Sequence, residues 1–322
     1  MKKRGLSPFL RNRGLSPFLI SIMKDPNGDF LSWWNDRGVL VGDGAMGTAL
    51  LAAGLPEGAC PESWNLDRPE VVESITASYL EAGADILMTN SFGANPRRLA
   101  AFRLAPRCSE INRAAAGIAR KVAGNRARVV GSIGPTGETP GRDGALSEED
   151  AFDGFRLQAE ALAAGGVDGL VVETMTDLCE AAAAVRAAAG TGLPVVATMT
   201  FGPPGGKQFP NTGHEIDRAA RILQEAGACG LGANCGIGPE PLVETVRILR
   251  SASRLPIVVQ PSCGVPRQEA GKLLFPVDPE EMARFMADFV RAGATWIGGC
   301  CGTTDNHIRA MAREAGRAQL LP

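Results

Sequence analysis

The chain has 322 residues, 45% hydrophobic and 21% charged, which suits one large globular domain or two small ones. Its 33 Lys and Arg nearly balance 35 Asp and Glu, for a net charge of −2, and aromatic residues make up only 5%. That balance excludes a polyanion-binding surface, and the few rings exclude a base-stacking platform, so no nucleic-acid partner is expected. Two histidines leave little place for His-based catalysis. Apolar runs are broken by Gly, Pro or charge before the roughly 18 residues a membrane span needs, so no membrane association is expected. Pro8, Arg11, Arg13 and Pro17 interrupt any signal-peptide core. The chain therefore reads as cytoplasmic, where eight cysteines serve packing, metal binding or catalysis rather than a disulfide framework.

The first 37 residues read as an N-terminal extension. Arg4-Gly5-Leu6-Ser7-Pro8-Phe9-Leu10 recurs unchanged from Arg13 to Leu19, without helical or strand periodicity. Arg-Gly and Ser-Pro have codon choices that are reverse complements, so the repeat reads as a palindromic DNA element translated into protein. Residues 1–22 are expected to be disordered, with Met23 a natural start. From residue 38 short apolar runs alternate with Ala-, Arg- and Glu-rich stretches of helical character. The expected strands are Val39 to Val41, Asp85 to Thr89, Val129 to Ser132, Gly169 to Val172, Val195 to Thr198, Cys229 to Ala233, Ile257 to Val259 and Thr295 to Gly298. Ala-Gly precedes every second strand, at Ala82-Gly83, Ala164-Gly165, Ala226-Gly227 and Ala292-Gly293, as a helix ending in its C-terminal glycine. Leu193-Pro194 and Leu255-Pro256 lead into the fifth and seventh strands. Asp67 ahead of Pro69 and Glu70 reads as an N-cap for a helix over Val71 to Leu80, and Cys179 to Ala189 reads as another helix. Eight βα units over residues 38–312 predict a single-domain α/β fold, the (β/α)8 TIM barrel, with 313–322 as a tail. A doubly wound sheet is the alternative, but no G-x-G-x-x-G follows the first strand and no Walker pattern is present.

Residues after each strand of such a barrel converge on one face. There stand Asp43 and Gly44 after the first strand, Asn90 after the second, Glu173 after the fourth, Cys235 after the sixth, Ser262 and Cys263 after the seventh, and Cys300 and Cys301 after the eighth. Three thiolates at about 2.3 Å from one ion suit Zn²⁺ and leave a fourth tetrahedral position for a substrate thiol. Buried core cysteines are the alternative on spacing alone, since no C-x₂-C pair is present. Cys60, Cys108, Cys179 and Cys229 lie away from the rim. Asp43 and Glu173 either bind an α-ammonium group or serve as a helix cap and an arginine partner. No lysine stands at a strand end, which argues against a Schiff-base aldolase.

Gly42-Asp43-Gly44-Ala45-Met46-Gly47-Thr48, Asn234-Cys235 and Gly298-Gly299-Cys300-Cys301-Gly302-Thr303-Thr304 resemble the zinc-dependent homocysteine S-methyltransferase family, closest to the homocysteine-binding domain of cobalamin-dependent methionine synthase. Pro61-Glu62-Ser63-Trp64-Asn65-Leu66 and Gly131-Ser132-Ile133-Gly134-Pro135-Thr136-Gly137 agree with it, and the resemblance spans residues 38–312. It implies one Zn²⁺ on Cys235, Cys300 and Cys301. It also implies homocysteine bound with its sulfur on the metal and its amino-acid end near Asp43, Gly44 and Glu173; the rim residues Asn90 and Ser262 are counted with them. The family often has Pro-Asn-Ala-Gly after the seventh strand, where this chain has Pro261-Ser262-Cys263-Gly264, and Asp305 replaces a usual Pro. The family's donors are corrinoids, betaines and S-methylmethionine. A corrinoid module carries an Asp-x-His-x-x-Gly loop; Asp305-Asn306-His307-Ile308-Arg309-Ala310 ends in Ala and falls within the barrel. The expected donor is thus methylcobalamin, free or on a separate corrinoid protein. The alternatives are a betaine or S-methylmethionine donor, or a zinc-thiolate subunit that docks a corrinoid protein without independent turnover.

Overall fold

The computed structural model describes residues 30–138, 146–202, 209–210, 212–269 and 272–318. The expectations for residues 1–22, including the repeat, lie outside them. Eight parallel strands form one sheet: β1 (Leu40–Val41), β2 (Ile86–Met88), β3 (Arg128–Ile133), β4 (Gly169–Met175), β5 (Val195–Met199), β6 (Gly230–Cys235), β7 (Ile257–Pro261) and β8 (Trp296–Ile297). Each strand pairs with its neighbours in sequence, and β1 pairs with β8. The ring closes between β1 and β2 through a parallel bridge, Gly42 to Ile86, and an Asp85 N–H donated to Val41 O at 2.8 Å. The fold is therefore the TIM barrel, and the open doubly wound sheet is excluded.

Alternation along the strands sorts the side chains. Val41, Leu87, Val129, Leu170, Val195, Leu231 and Ile257 face the helices and join the main core. Leu40, Ile86, Val130, Val171, Val196, Val258 and Trp296 face inward and form a separate apolar layer. Two positions further along, the inward residues turn polar: Ser132, Glu173, Thr198, Asn234 and Gln260. The barrel thus has an apolar floor and a polar mouth, and the mouth lies at the strand C-termini.

A helix at Phe30–Arg37 seals the floor. Phe30 and Trp34 are buried in the inward-facing layer, and Trp34 meets Trp296 edge-on at 5.6 Å. Arg37 and Arg128 lie over the Trp33 ring at 5.1 and 5.4 Å. Residues 30–37, assigned to the extension by sequence, are thus packed into the barrel. At the other end, the last helix runs Asp305–Ala318 and continues past 312.

The helix boundaries follow their sequence signals with two corrections. Gly83, Gly227 and Gly293 end their helices in the left-handed conformation. Gly165 ends its helix at φ −79°, and the following Gly166 takes the positive φ. Asp67 is not an N-cap: it closes the short helix Trp64–Asp67, and Arg68 precedes the helix Pro69–Ala82. The helix Leu178–Ala189 starts as its sequence suggests, with Asp177 accepting from the Cys179 and Glu180 N–H groups.

Candidate metal centre

Cys235 is the last residue of β6, and Cys300 and Cys301 lie three and four residues beyond the end of β8. These ends are not adjacent, since β7 stands between them. The turns carry the chain across the gap. Cys235 has φ +65° and Gly236 has φ +79°, a left-handed pair that bends the backbone sharply. Cys300 N–H donates to Pro261 O and Cys263 N–H to Cys301 O, both at 2.8 Å, which fastens the two cysteines to the end of β7. Thr303 Oγ1 donates to Cys300 O at 2.7 Å and accepts from Ala45 N–H at 3.1 Å, joining that loop to the one after β1.

The result is three sulfurs that all lie within 4.8 Å of one another. Tetrahedral ligation with legs of about 2.3 Å sets sulfurs about 3.8 Å apart, so the cluster fits one such ion. Its electrostatics agree. Hydrogen bonds from Cys300 and Cys301 hold Cys235 far below an ordinary thiol pKa, while the same bonds to Cys235 push Cys300 and Cys301 upward. The trio alone favours one shared negative charge; a divalent cation lets all three sulfurs ionise. The donor set, all thiolate, is one that soft and borderline ions prefer.

Asn234 organises the surroundings. Its Oδ1 accepts from Thr174 N–H and Thr198 Oγ1, both at 2.8 Å. Its Nδ2 donates to Thr174 Oγ1 at 2.7 Å and faces Cys300 Sγ at 3.8 Å. Thr174 has φ +59°, at the irregularity where β4 shifts register against β5. The same irregularity sets Glu173 at the barrel mouth.

Two carboxylates lie beside the sulfurs. Asp43 and Glu173 are only 3% and 8% exposed. Asp43 Oδ2 accepts from Met88 N–H at 2.7 Å, and Glu173 Oε1 accepts from Ser132 Oγ at 2.5 Å. Asp43 is not a helix cap, for the next helix starts after Ala45 without a side-chain cap. Neither carboxylate meets an Arg or Lys among the described residues. Burial raises both pKa values. Glu173 rises to about 7, opposed by the Ser132 bond and aided by the Cys235 charge; Asp43 rises well above the usual carboxylate range, with the Met88 bond opposing and Glu173 adding repulsion. Two carboxyls are thus buried side by side without a cationic side chain against either of them among the described residues.

The remaining rim residues take other places. Gly44 packs against Tyr79: a Cβ there would sit 2.6 Å from the ring. Tyr79 Oη donates toward Ala45 O at 3.0 Å and Thr303 O at 3.3 Å, pinning both loops. Asn90 Nδ2 donates to Pro61 O at 2.9 Å and Asn65 Oδ1 at 3.0 Å, so its amide hydrogens brace the loop after β2. Ser262 Oγ donates to Gly236 O at 2.9 Å and supports the Cys235 turn. Cys263 is buried in the main core and is not one of the clustered sulfurs. Cys60 and Cys108 fill a small apolar cluster. His307 is a bracket, with Nδ1 accepting from Thr304 N–H and Nε2–H donating to Val277 O, both at 3.1 Å. That tautomer follows from the hydrogen-bond pattern. Sequence reasoning missed Thr174, Gln260 and Tyr79; only the adjacency of Asn234 to Cys235 hinted at the scaffold behind the sulfurs.

A closed parallel barrel with a three-cysteine centre at its C-terminal mouth defines a class: thiolate-metal enzymes built on a TIM barrel. The family model for homocysteine S-methyltransferases matches residues 40–315, and the chain belongs to that family. It is 37% identical over 294 residues to the methionine synthase of Mycobacterium tuberculosis (strain ATCC 25618 / H37Rv), covering 85% of this chain. It is 35% identical over 299 residues to that of Mycobacterium leprae (strain TN), covering 87%. In both cases it spans 24% of the relative's length. Among solved structures it is similar to the homocysteine methyltransferase MmuM from Escherichia coli in its metallated form, with TM-score 0.73 and 25% identity over 88% of this chain and 98% of that one. No helix among the described residues is long and apolar enough to cross a membrane.

Proposed function

We propose that the chain methylates homocysteine to methionine at a zinc centre held by Cys235, Cys300 and Cys301. The observation that carries this reading is the convergence of three sulfurs within 4.8 Å. Beside them lie two buried carboxylates without a cationic partner among the described residues. Zinc bound there supplies the Lewis acidity that keeps a substrate thiol deprotonated near neutral pH.

The chain's own residues perform the rest. Asp43 and Glu173 receive the α-ammonium of homocysteine as charge-assisted acceptors. The Gly44 N–H, which has no partner among the described residues, is placed to donate to the α-carboxylate. Asn234 and Ser262 hold the Cys235 turn and its neighbour Cys300 in register. No general base is required, which agrees with His307 being engaged as a bracket. The thioether product is neutral and a weaker ligand than a thiolate, so methylation itself favours release. The donor in this reading is a methylcorrinoid on a separate chain; likeness to methionine synthases supports methyl transfer to homocysteine. The eight free thiols suit the reducing cytoplasm.

The test is a donor screen on zinc-loaded protein. Homocysteine is offered with methylcobalamin, S-methylmethionine or glycine betaine, and methionine is measured. Methylcobalamin is expected to support turnover. Cys235→Ala, Cys300→Ala and Cys301→Ala are each expected to lose zinc and turnover together. Full zinc content in all three variants, or no methionine with any donor, overturns the reading.

A further inference from the structure

Gln260 is an inward-facing polar side chain of the barrel mouth whose amide oxygen has no hydrogen-bond partner among the described residues. It is 2% exposed, and its Oε1 is fully buried with no partner. Its Nε2 rests 3.2 Å from Met88 Sδ, a weak acceptor. A buried amide oxygen left unpaired costs about 1–3 kcal/mol, and native interiors seldom carry one without a reason.

Its position supplies the reason. Gln260 faces inward on β7, paired in register with Asn234 on β6. Its neighbour Met88 donates its own N–H to Asp43 Oδ2 at 2.7 Å. Just after β8, Gly298 allows a close approach: a Cβ there would crowd Gln260 Cγ at 3.2 Å and the backbone carbonyl of Asp43 at 3.3 Å. Gln260 is therefore inward-facing in the same layer as the two carboxylates, with Met88 linking it to Asp43. An α-ammonium has three N–H bonds to place. Asp43 and Glu173 account for two.

We propose that Gln260 Oε1 is the third acceptor for the substrate's α-ammonium and so sets the preference for amino-acid thiols over simple thiols. The assignment rests on the ammonium reading of Asp43 and Glu173. A neutral acceptor completes the set without adding a third negative charge to a pocket where two carboxyls already repel each other. The residue acts on binding and positioning, and the metal ligands do not depend on it.

The test compares three thiols on zinc-loaded wild type and Gln260→Met, a swap that keeps length and volume. The thiols are homocysteine, 3-mercaptopropylamine, which keeps the ammonium, and 4-mercaptobutyrate, which lacks it. Binding is read by calorimetry, alongside zinc content and melting temperature. The variant is expected to bind homocysteine and 3-mercaptopropylamine at least about tenfold more weakly, the scale of one charged hydrogen bond. Affinity for 4-mercaptobutyrate, zinc content and melting temperature should hold. Equal weakening of all three thiols means a packing role and overturns the proposal. Selective weakening of 4-mercaptobutyrate means that the amide donates to the carboxylate, which also overturns it. If wild type itself does not favour homocysteine over 4-mercaptobutyrate, the ammonium site at Asp43 and Glu173 fails, and the Gln260 assignment with it.

Discussion

Glu173→Gln should make the metal-free, reduced protein more stable at pH 8 while weakening its hold on homocysteine. Burial raises the Glu173 carboxyl from 4.5 to about 7 in the folded chain. A carboxyl with a raised folded pKa binds its proton more tightly when folded than when unfolded. Between these two values the folded state carries the extra proton, so stability falls as pH rises through the window and stays low above it. The interval corresponds to about 3 kcal/mol at ~1.4 kcal/mol per pH unit. A neutral amide avoids that loss and still offers an oxygen to Ser132 Oγ. Wild type and variant should then unfold alike near pH 3.5, well below both values, where the carboxyl is protonated in both states. They should separate by up to about 3 kcal/mol at pH 8. Urea titrations at the two pH values, with reductant and chelator present, measure the gap. The same substitution should weaken homocysteine binding by about 1.5–3 kcal/mol, the worth of a hydrogen bond to a charged group. A variant less stable than wild type at pH 8 would refute the reasoning, because Glu173 would then have a stabilising cationic partner.

Four further outcomes follow from the packing of the barrel and its mouth. Gly44→Ala should cost about 1–3 kcal/mol by driving a methyl group into the Tyr79 ring, measured by urea unfolding; an unchanged midpoint would show that Tyr79 yields freely. Asn234→Ala should lower zinc affinity about 10- to 100-fold, the usual effect of removing support behind metal ligands, with competition against a chromophoric chelator as the readout; unchanged affinity would make Asn234 irrelevant to Cys300. A chain starting at Met23 should match the melting temperature of the full chain, because Phe30–Arg37 is retained. Trp34→Ala should cost about 3–5 kcal/mol, and a smaller loss would mean that the helix does not seal the floor.

The barrel was legible because each βα unit announces itself locally. Short β-branched runs, Ala-Gly helix ends and Leu-Pro strand entries depend on neighbours in sequence, and the eight expected strands overlap the eight observed. The three sulfur positions were legible for the same reason, since strand ends in this fold share a face. What stayed hidden depends on contacts distant in sequence. Phe30 and Trp34 looked like part of an extension because the layer that buries them is assembled from seven separate strands. The rim position of Asn90 is visible in sequence, while the bonds of its amide hydrogens to Pro61 and Asn65 are not. Asp67 carried a capping signature that the preceding short helix overrode. Gln260 gave no signal at all: only three-dimensional packing shows that its amide oxygen lacks a partner.

The strain in this backbone is concentrated at the mouth. Arg103, Thr174 and Cys235 are the non-glycine residues with positive φ among the described ones, and two of the three flank the site. Such a conformation costs roughly 1–2 kcal/mol for a residue with a Cβ, so something must hold it in place. Thr174 is held by two hydrogen bonds to the Asn234 side chain. Cys235 directly follows Asn234, whose carbonyl accepts from Thr200 Oγ1 at 3.1 Å; the Cys235 carbonyl accepts from Ser262 N–H and the Gly236 carbonyl from Ser262 Oγ. One asparagine therefore couples the bend that presents Glu173 to the bend that presents Cys235. The Glu173 carboxylate, which the proposed function assigns to an ammonium, and the Cys235 sulfur, which it sets beside a thiol, are thereby held at a fixed separation. A fixed separation is what an enzyme needs to distinguish chain lengths between amine and sulfur. The apolar floor, the Trp34 plug and the helix layer stabilise the barrel independently of the mouth. That leaves the mouth free to carry buried carboxyls, clustered thiols and a strained turn that a stability-driven sequence would discard.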